Sequence, residues 1–278
     1  MDYAGSKPTV YISGSFDDLH TPAIRFLQEA ARMGNVHALQ FTDDLCQKLS
    51  DRKPKFPLPE RQYFLENTRF IDRVSSIDTI KKNALPTELI GTDQKEIIWA
   101  IREKDADTEK QKFCDRYGIS LTVIPDTALS GFPLQEPSHH SSHKKVMVSG
   151  CFDYVHSGHV RFFEEVSEYG DLYVVVGHDD NLRLLKGEGH PLFPQAERQY
   201  WVHAIRFAHR ALVSSGHGWL DSEPEVREHK PDIFIVNHDG DKPEKRRFFN
   251  DMGIEYVVLD RKPKQGLQAR QSTQLRGF

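Results

Sequence analysis

Cysteine is scarce in this chain: Cys46, Cys114 and Cys151 are the only three in 278 residues, and no pair has Cys-x-x-Cys spacing. An odd, scattered set argues against a disulfide framework and suits a reducing compartment. Long apolar runs are missing too. No stretch approaches eighteen apolar residues, and the opening MDYAGSKPTV lacks the apolar region of a signal peptide. Excess charge is absent as well: a formal net charge of −4 and a pI near 6.4 argue against a nucleic-acid-binding surface as the main function. There is no GxxxxGK[ST] segment, so a P-loop kinase is set aside. These absences lead to the expectation of a cytoplasmic protein with neither membrane nor nucleic acid as partner.

What the chain does contain is the same phrase twice. Residues 13–30 read SGSFDDLHTPAIRFLQEA and residues 149–166 read SGCFDYVHSGHVRFFEEV. Further on, Gly34 matches Gly170 and Asp43-Asp44 matches Asp179-Asp180; after a one-residue slip, 59–74 lies over 196–211. The period is the length of a domain, far too long for a solenoid repeat. We therefore expect one domain over 1–126, a linker over 127–144 rich in Ser, Pro and His, and a second domain over 145–278. His139, His140 and His143 resemble a metal tract but fall in that linker, and no metal site is expected there.

In the second half, VMVSG (146–150), DLYVVVGH (171–178), RALVSS (210–215), DIFIVNH (232–238) and IEYVVLD (254–260) read as buried strands. Segments with helical spacing of apolar residues separate them. In the first half TVYISG, VHALQFTD, RVSSI, ELIGTD and ISLTVIPD give the same pattern. Strand–helix alternation predicts an α/β fold: two tandem Rossmann-like, doubly wound parallel-sheet domains. In such sheets ligands bind at the carboxyl ends of strands, near the switch in strand order.

The strand at 146–150 ends at such a place, in Gly150-Cys151-Phe152-Asp153 followed by His156-Ser157-Gly158-His159. Histidines three apart at a helix start share a face and sit where backbone N–H groups and the helix dipole favour anions. Gly158 leaves room for close approach. A spacing of this kind alone fits a zinc pair or two surface histidines equally well. The preceding Gly-Cys-Phe-Asp turn favours a polyphosphate cradle, with imidazoles donating to developing negative charge. The first half has His20-Thr21-Pro22-Ala23 instead, so one imidazole and the glycine are gone.

GCFDYVHSGHVRFFEEV followed by LKGEGHPLFPQAERQYW resembles the cytidylyltransferase-like nucleotidyltransferases, over 145–276 and more weakly over 8–126. The tandem form resembles that of phosphoethanolamine cytidylyltransferases; length and the lack of a KMSKS-like loop set apart the aminoacyl-tRNA synthetases that share a similar histidine motif. The resemblance implies that a nucleoside triphosphate, CTP above all, and a phosphorylated small alcohol or polyol condense to a nucleotide-linked product and pyrophosphate. LKGEGHPLFPQAER and GDKPE also resemble adenylyltransferases of heptose phosphates, and a non-catalytic nucleotide-binding protein derived from such enzymes is a further alternative, which explains the first half but not the intact second. On this likeness His156 and His159 stabilise the transition state and Lys186 reaches phosphate, although Lys186 also reads as a solvated side chain. Gly150, Cys151, Phe152, Asp153, Gly158, Arg198 and Asp239 line the nucleotide, with Arg198 alternatively a local bridge, and Asp239 with Asp241 alternatively turn formers. Ser272 and Thr273 stand for a family helix start that binds phosphates, with Gln274 in place of its last threonine. Arg261, Arg270 and Arg276 add positive charge nearby. Magnesium is expected with the triphosphate, without dedicated protein ligands. The first domain is expected to be catalytically silent and to pack as an intramolecular pseudo-dimer; homodimerisation is left open.

Overall fold

The computed structural model of the chain describes residues 7–17, 19–81, 83–87, 96–135 and 143–271. The chain divides into two compact units, Met1–Gly131 and Phe132–Phe278.

The first unit runs β1 (Thr9–Gly14), α1 (Thr21–Ala31), β2 (Asn35–Phe41), α2 (Asp43–Ser50), α3 (Leu58–Glu66), β3 (Arg73–Ile77), β4 (Ile97–Arg102), α4 (Thr108–Tyr117) and β5 (Ser120–Ile124). Its sheet has the order β3-β2-β1-β4-β5 with every pairing parallel. The second unit runs β6 (Lys145–Gly150), α5 (Ser157–Ser167), β7 (Asp171–Val176), α6 (Asp179–Lys186), α7 (Gln195–Ala204), β8 (Ala208–Val213), α8 (Glu223–His229), β9 (Ile233–Asn237), α9 (Pro243–Asp251) and β10 (Glu255–Leu259). Its order, β10-β9-β6-β7-β8, is the same arrangement written from the other edge, again all parallel. The chain is thus an α/β protein with two Rossmann-like sheets. Parallel pairing demands helical crossovers, so central strands are covered on both faces; Val146, Met147, Val148, Leu172, Val174 and Val175 are buried for that reason. Strand order reverses between β1 and β4 and again between β6 and β9, which opens a crevice at their carboxyl ends.

The register makes the duplication exact in space. Val10 faces Ile98 as Val146 faces Ile233, and Gly14 faces Gln40 as Gly150 faces Val176. Gly34 and Gly170 both back onto a carbonyl, of Pro8 and Lys144, with a Cβ excluded at 2.2 Å in each case.

Several expectations need correction. The strand expected at ELIGTD lies largely in 88–93, outside the described residues; the fourth strand described is IIWAIR, Ile97–Arg102, a continuous apolar run that suits a strand covered on both faces. β8 begins at Ala208 because a register shift between Leu172 and Tyr173 accommodates an extra residue. The first unit does not stop at 126: Asp126–Leu129 forms a 3-10 turn, Leu129 is buried, and the Ala128 carbonyl accepts from Arg25 at 2.7 Å. Phe132 already lies 6.2 Å from the Tyr200 ring, and the Gln135 N–H donates to His203 Nε2 at 3.1 Å. His139 and His140 lie outside the described residues. The stretch 216–231, between β8 and β9, carries α8, too short for its one buried aliphatic, Val226, to register as periodic. Among the described residues no helix is long and apolar enough to cross a membrane.

Candidate active site

Strand β6 delivers Gly150 to the crevice, and the next turn is built around an aromatic ring. Phe152 adopts a left-handed φ of 48°, and its ring lies so close over Gly150 that a Cβ there would sit 2.8 Å away. Glycine at 150 is therefore a packing requirement of the turn. From its seat the Phe152 ring meets His159 and Phe163, each at 5.3 Å between centroids. Asp153 is buried and fastens the following loop, its Oδ1 accepting from the Leu192 and Phe193 amides at 2.7 and 3.2 Å.

His156 caps α5. Its Nδ1 accepts from the Gly158 N–H at 3.1 Å, which puts the proton of the neutral ring on Nε2. His159, one turn on, stacks against it with centroids 4.0 Å apart and planes at 29°. His156 Nε2 and His159 Nδ1 are buried and have no hydrogen-bond partner among the described residues. Two orphan polar atoms at one helix start are costly unless something else satisfies them. The same burial holds the imidazoles neutral. It drives His156 far below the ordinary histidine range, assisted by His159, Arg261 and Arg270. Burial likewise lowers His159 to about 3, with Arg261 and Lys186 adding to the effect against the Tyr154 backbone and Asp239. Gly158 serves the histidine before it serves any ligand: a Cβ there would meet the His156 ring at 2.9 Å.

These groups open on a cleft of about 700 Å³ at the carboxyl ends of β6 and β9. Gly150, Cys151, Phe152, Asp153, Gly158, His159, Lys186 and Asp239 line it, with His156 stacked behind His159. Lys186 ends α6 and is exposed. Asp239 pairs with Arg261, 2.8 Å away, whereas Asp241 faces elsewhere and pairs with Arg246 at 2.6 Å. Arg246 holds the Asp241 carboxyl below its usual range. Ser272 and Thr273 lie outside the described residues; Gln271, just before them, lines the cleft.

Arg198 is the clear departure. It is wholly buried and does not line the cleft. Its Nε donates to the Phe193 carbonyl at 2.9 Å, Nη1 to the Cys151 carbonyl, and Nη2 to the Gly177 carbonyl at 2.7 Å and to Asp179 at 2.8 Å. Arg61 in the first unit does the same, to Phe56, Ser15, Phe41 and Asp43. An arginine used identically in the half without the histidine pair is a brace that holds loop ends together.

Lys245, Asn237 and His190 line the cleft and carry no signal in a single reading of the sequence. Burial, with Lys242 nearby, lowers the Lys245 pKa, and its Nζ reaches the Gly240 carbonyl at 3.1 Å. Asn237 Oδ1, at the end of β9, is buried without a hydrogen-bond partner among the described residues. In the first unit His20 precedes α1, Pro22 and Ala23 follow, and Ser50 ends α2 where Lys186 ends α6. Lys53 and Lys55, near that place in sequence, fall in the loop; the Lys55 N–H bonds Asp17 as the Leu192 N–H bonds Asp153.

A family model described as cytidylyltransferase-like matches residues 147–261, which contain the stacked histidines and most of the cleft. An FAD synthase of Methanopyrus kandleri is 36% identical over 121 residues, covering 41% of this chain and 77% of that protein. The chain belongs to the cytidylyltransferase-like nucleotidyltransferase family. The bifunctional protein HldE of Nitratiruptor is 29% identical over 124 residues, 44% of this chain but 26% of that protein. A crystal structure of a lipopolysaccharide core biosynthesis protein from Thermoplasma volcanium is 28% identical, covers 42% of this chain and 96% of its own, and superposes with a TM-score of 0.37. The family match falls on the second unit alone, so a nucleotidyltransferase-like domain is assigned there.

Proposed function

We propose that the second unit transfers a nucleotidyl group from a nucleoside triphosphate to the phosphate of a small acceptor, and that the first unit is catalytically silent. The observation that carries this reading is the stacked pair of His156 and His159, each ring with a buried nitrogen that has no hydrogen-bond partner among the described residues. A phosphate oxygen of the acceptor attacks the α-phosphorus in line. One P–O bond forms, the bond from the α-phosphorus to the bridging oxygen breaks, and pyrophosphate leaves. The His156 Nε2–H donates to phosphate oxygens, whose charge grows in the transition state, while Lys186, Lys245 and Arg261 around the cleft neutralise the departing pyrophosphate. No side chain needs to act as a covalent nucleophile.

Magnesium belongs to this proposal as a companion of the triphosphate. Among the described residues no group of three or more His, Cys, Asp or Glu side chains gathers to hold an ion, and magnesium asks for little beyond phosphate oxygens and water. When bound it would supply charge neutralisation, with the Asp239 carboxylate as the acidic group of the cleft not already fastening a loop.

Two donors are supported by different observations. CTP follows from the motif resemblance; ATP follows from the relatives, since FAD synthases make a product that contains adenylate. The acceptor is a phosphorylated alcohol or polyol in the first case and a phosphorylated sugar or other phosphomonoester in the second. Pyrophosphate release measured over CTP, ATP, GTP and UTP, each with a set of phosphomonoesters, tests the whole reading. Release with one donor and one acceptor class is the expected result. No release with any pair, from protein shown to bind a triphosphate, would remove the enzyme reading.

A further inference from the structure

The first unit has lost the groups that mark the active site, yet it retains a cleft of about 590 Å³ at the matching place. Gly14, Phe16 and Asp17 line it as Gly150, Phe152 and Asp153 line the other. Ala23 stands where His159 would project, so the floor is open.

The strand register says what replaced the missing chemistry. Because Val10 pairs with Ile98 as Val146 pairs with Ile233, Arg102 occupies the place of Asn237 and Lys104 that of Asp239. Lys110 takes the place of Lys245 and makes the same bond, from Nζ to the Asp105 carbonyl at 2.7 Å. Asp126 stands where Arg261 does but pairs with Arg102 at 3.2 Å, whereas Arg261 pairs with Asp239, the counterpart of Lys104. Lys81 joins from the loop after β3. The rim thus carries four cations, while of its two acids Asp17 is already committed to the Lys55 and Phe56 amides. With Arg102 paired to Asp126, Lys81, Lys104 and Lys110 still outnumber the acids Asp17 and Asp105 on the rim, and that excess favours an anion.

The lining is also aromatic. Trp99 fills the place of Phe234, lines the cleft and is 2% exposed. Its indole Nε1, a donor only, is buried with no acceptor among the described residues. Phe26 and Phe41 line the same cleft. A cationic rim beside an aromatic wall with a spare donor matches a phosphate group joined to a heteroaromatic base.

We propose that the first unit's cleft binds a nucleotide without turning it over, its phosphates at Lys81, Arg102 and Lys104 and its base against the Trp99 side. Without the imidazole pair, the glycine and the lysine that ends α6, it holds such a ligand but offers nothing to a transition state.

Equilibrium dialysis of the full chain tests this, with adenosine and cytidine mono- and diphosphates and their α,β-methylene triphosphates, which cannot react at the α-phosphorus. The expected stoichiometry is two nucleotides per chain with at least one of these probes. Lys81→Glu with Lys104→Glu changes two exposed side chains and should lower it to one; His159→Ala with Lys186→Ala should also lower it to one, by emptying the other cleft. Should the charge-reversed chain fail to fold, Lys104→Ala is expected to weaken the first-unit site by about tenfold. The proposal is overturned if the chain binds at most one nucleotide and the His159→Ala, Lys186→Ala chain binds none. It is overturned equally if Lys81→Glu, Lys104→Glu and Lys104→Ala leave every binding event intact. A single site lost only with the lysine substitutions would support this inference while removing the triphosphate site from the second unit.

Discussion

At the scale of single residues, the two histidines at the start of α5 differ from most surface imidazoles in each keeping one buried ring nitrogen without a hydrogen-bond partner among the described residues. His156 spends Nδ1 on its own helix and keeps a buried Nε2 without a partner among the described residues; His159 stacks against it and lines the cleft. A group with that geometry acts on charge that appears during reaction, so its removal should fall on turnover. His159→Ala is expected to lower kcat by about a hundredfold or more, the usual scale for one lost transition-state donor. His20→Ala, at the first-unit position that matches His156, is expected to leave kcat nearly unchanged. Steady-state rates of the two variants decide the matter, and comparable losses would contradict a single reacting site.

Among secondary-structure elements, the buried arginines are the parts that fix loop to strand. Arg198 ties the ends of β6 and β7 to the entry of α6 and to the loop before α7, and Arg61 repeats the arrangement around β1 and β2. Truncation strands several buried carbonyls and leaves the half-buried Asp179 carboxylate without its partner. Arg198→Ala should therefore cost the second unit about 3–5 kcal/mol in urea unfolding, and Arg61→Ala a similar amount in the first. An Arg198→Ala chain of wild-type stability that has lost only affinity for triphosphate would restore the role the family resemblance implies.

These braces also show what was legible beforehand. The strand–helix alternation and the histidine turn could be read because they rest on local features: apolar runs bounded by turns, and a motif contiguous in the chain. The function of Arg198 could not, because its acceptors lie at 151, 177, 179 and 193 and meet only after folding. Lys245 and Asn237 were missed for the same reason, being brought to the cleft by the pairing of β6 with β9. IIWAIR, the strand β4, was not singled out because a continuous apolar run without alternation is not told from other buried segments by periodicity alone.

For the molecule as a whole, buried neutral histidines link stability to acidity. His156 and His159 both titrate below the ordinary 6.5 when folded, the latter at about 3, so the unfolded chain binds protons first. Stability from this source is complete above pH 6.5 and is lost as pH falls toward 3. The loss is on the order of 1–2 kcal/mol per ring by pH 5. In the first unit His37, lowered to about 4 by burial and by Arg73, acts in the same direction. Urea midpoints of the wild type should fall between pH 7 and pH 5 by more than those of a His156→Asn, His159→Gln chain. Parallel curves would show that the two rings are not held neutral.

The stacked imidazoles have one more consequence. A polyanion arriving beside them reverses the balance that keeps them uncharged, so loading the cleft should draw hydrogen ions out of solution. Calorimetric titrations of an unreactive triphosphate, run at one pH in phosphate and in Tris, would then yield heats that differ in proportion to the ionisation enthalpies of the two buffers. Occupancy of this protein would be written in the medium as well as in the crevice.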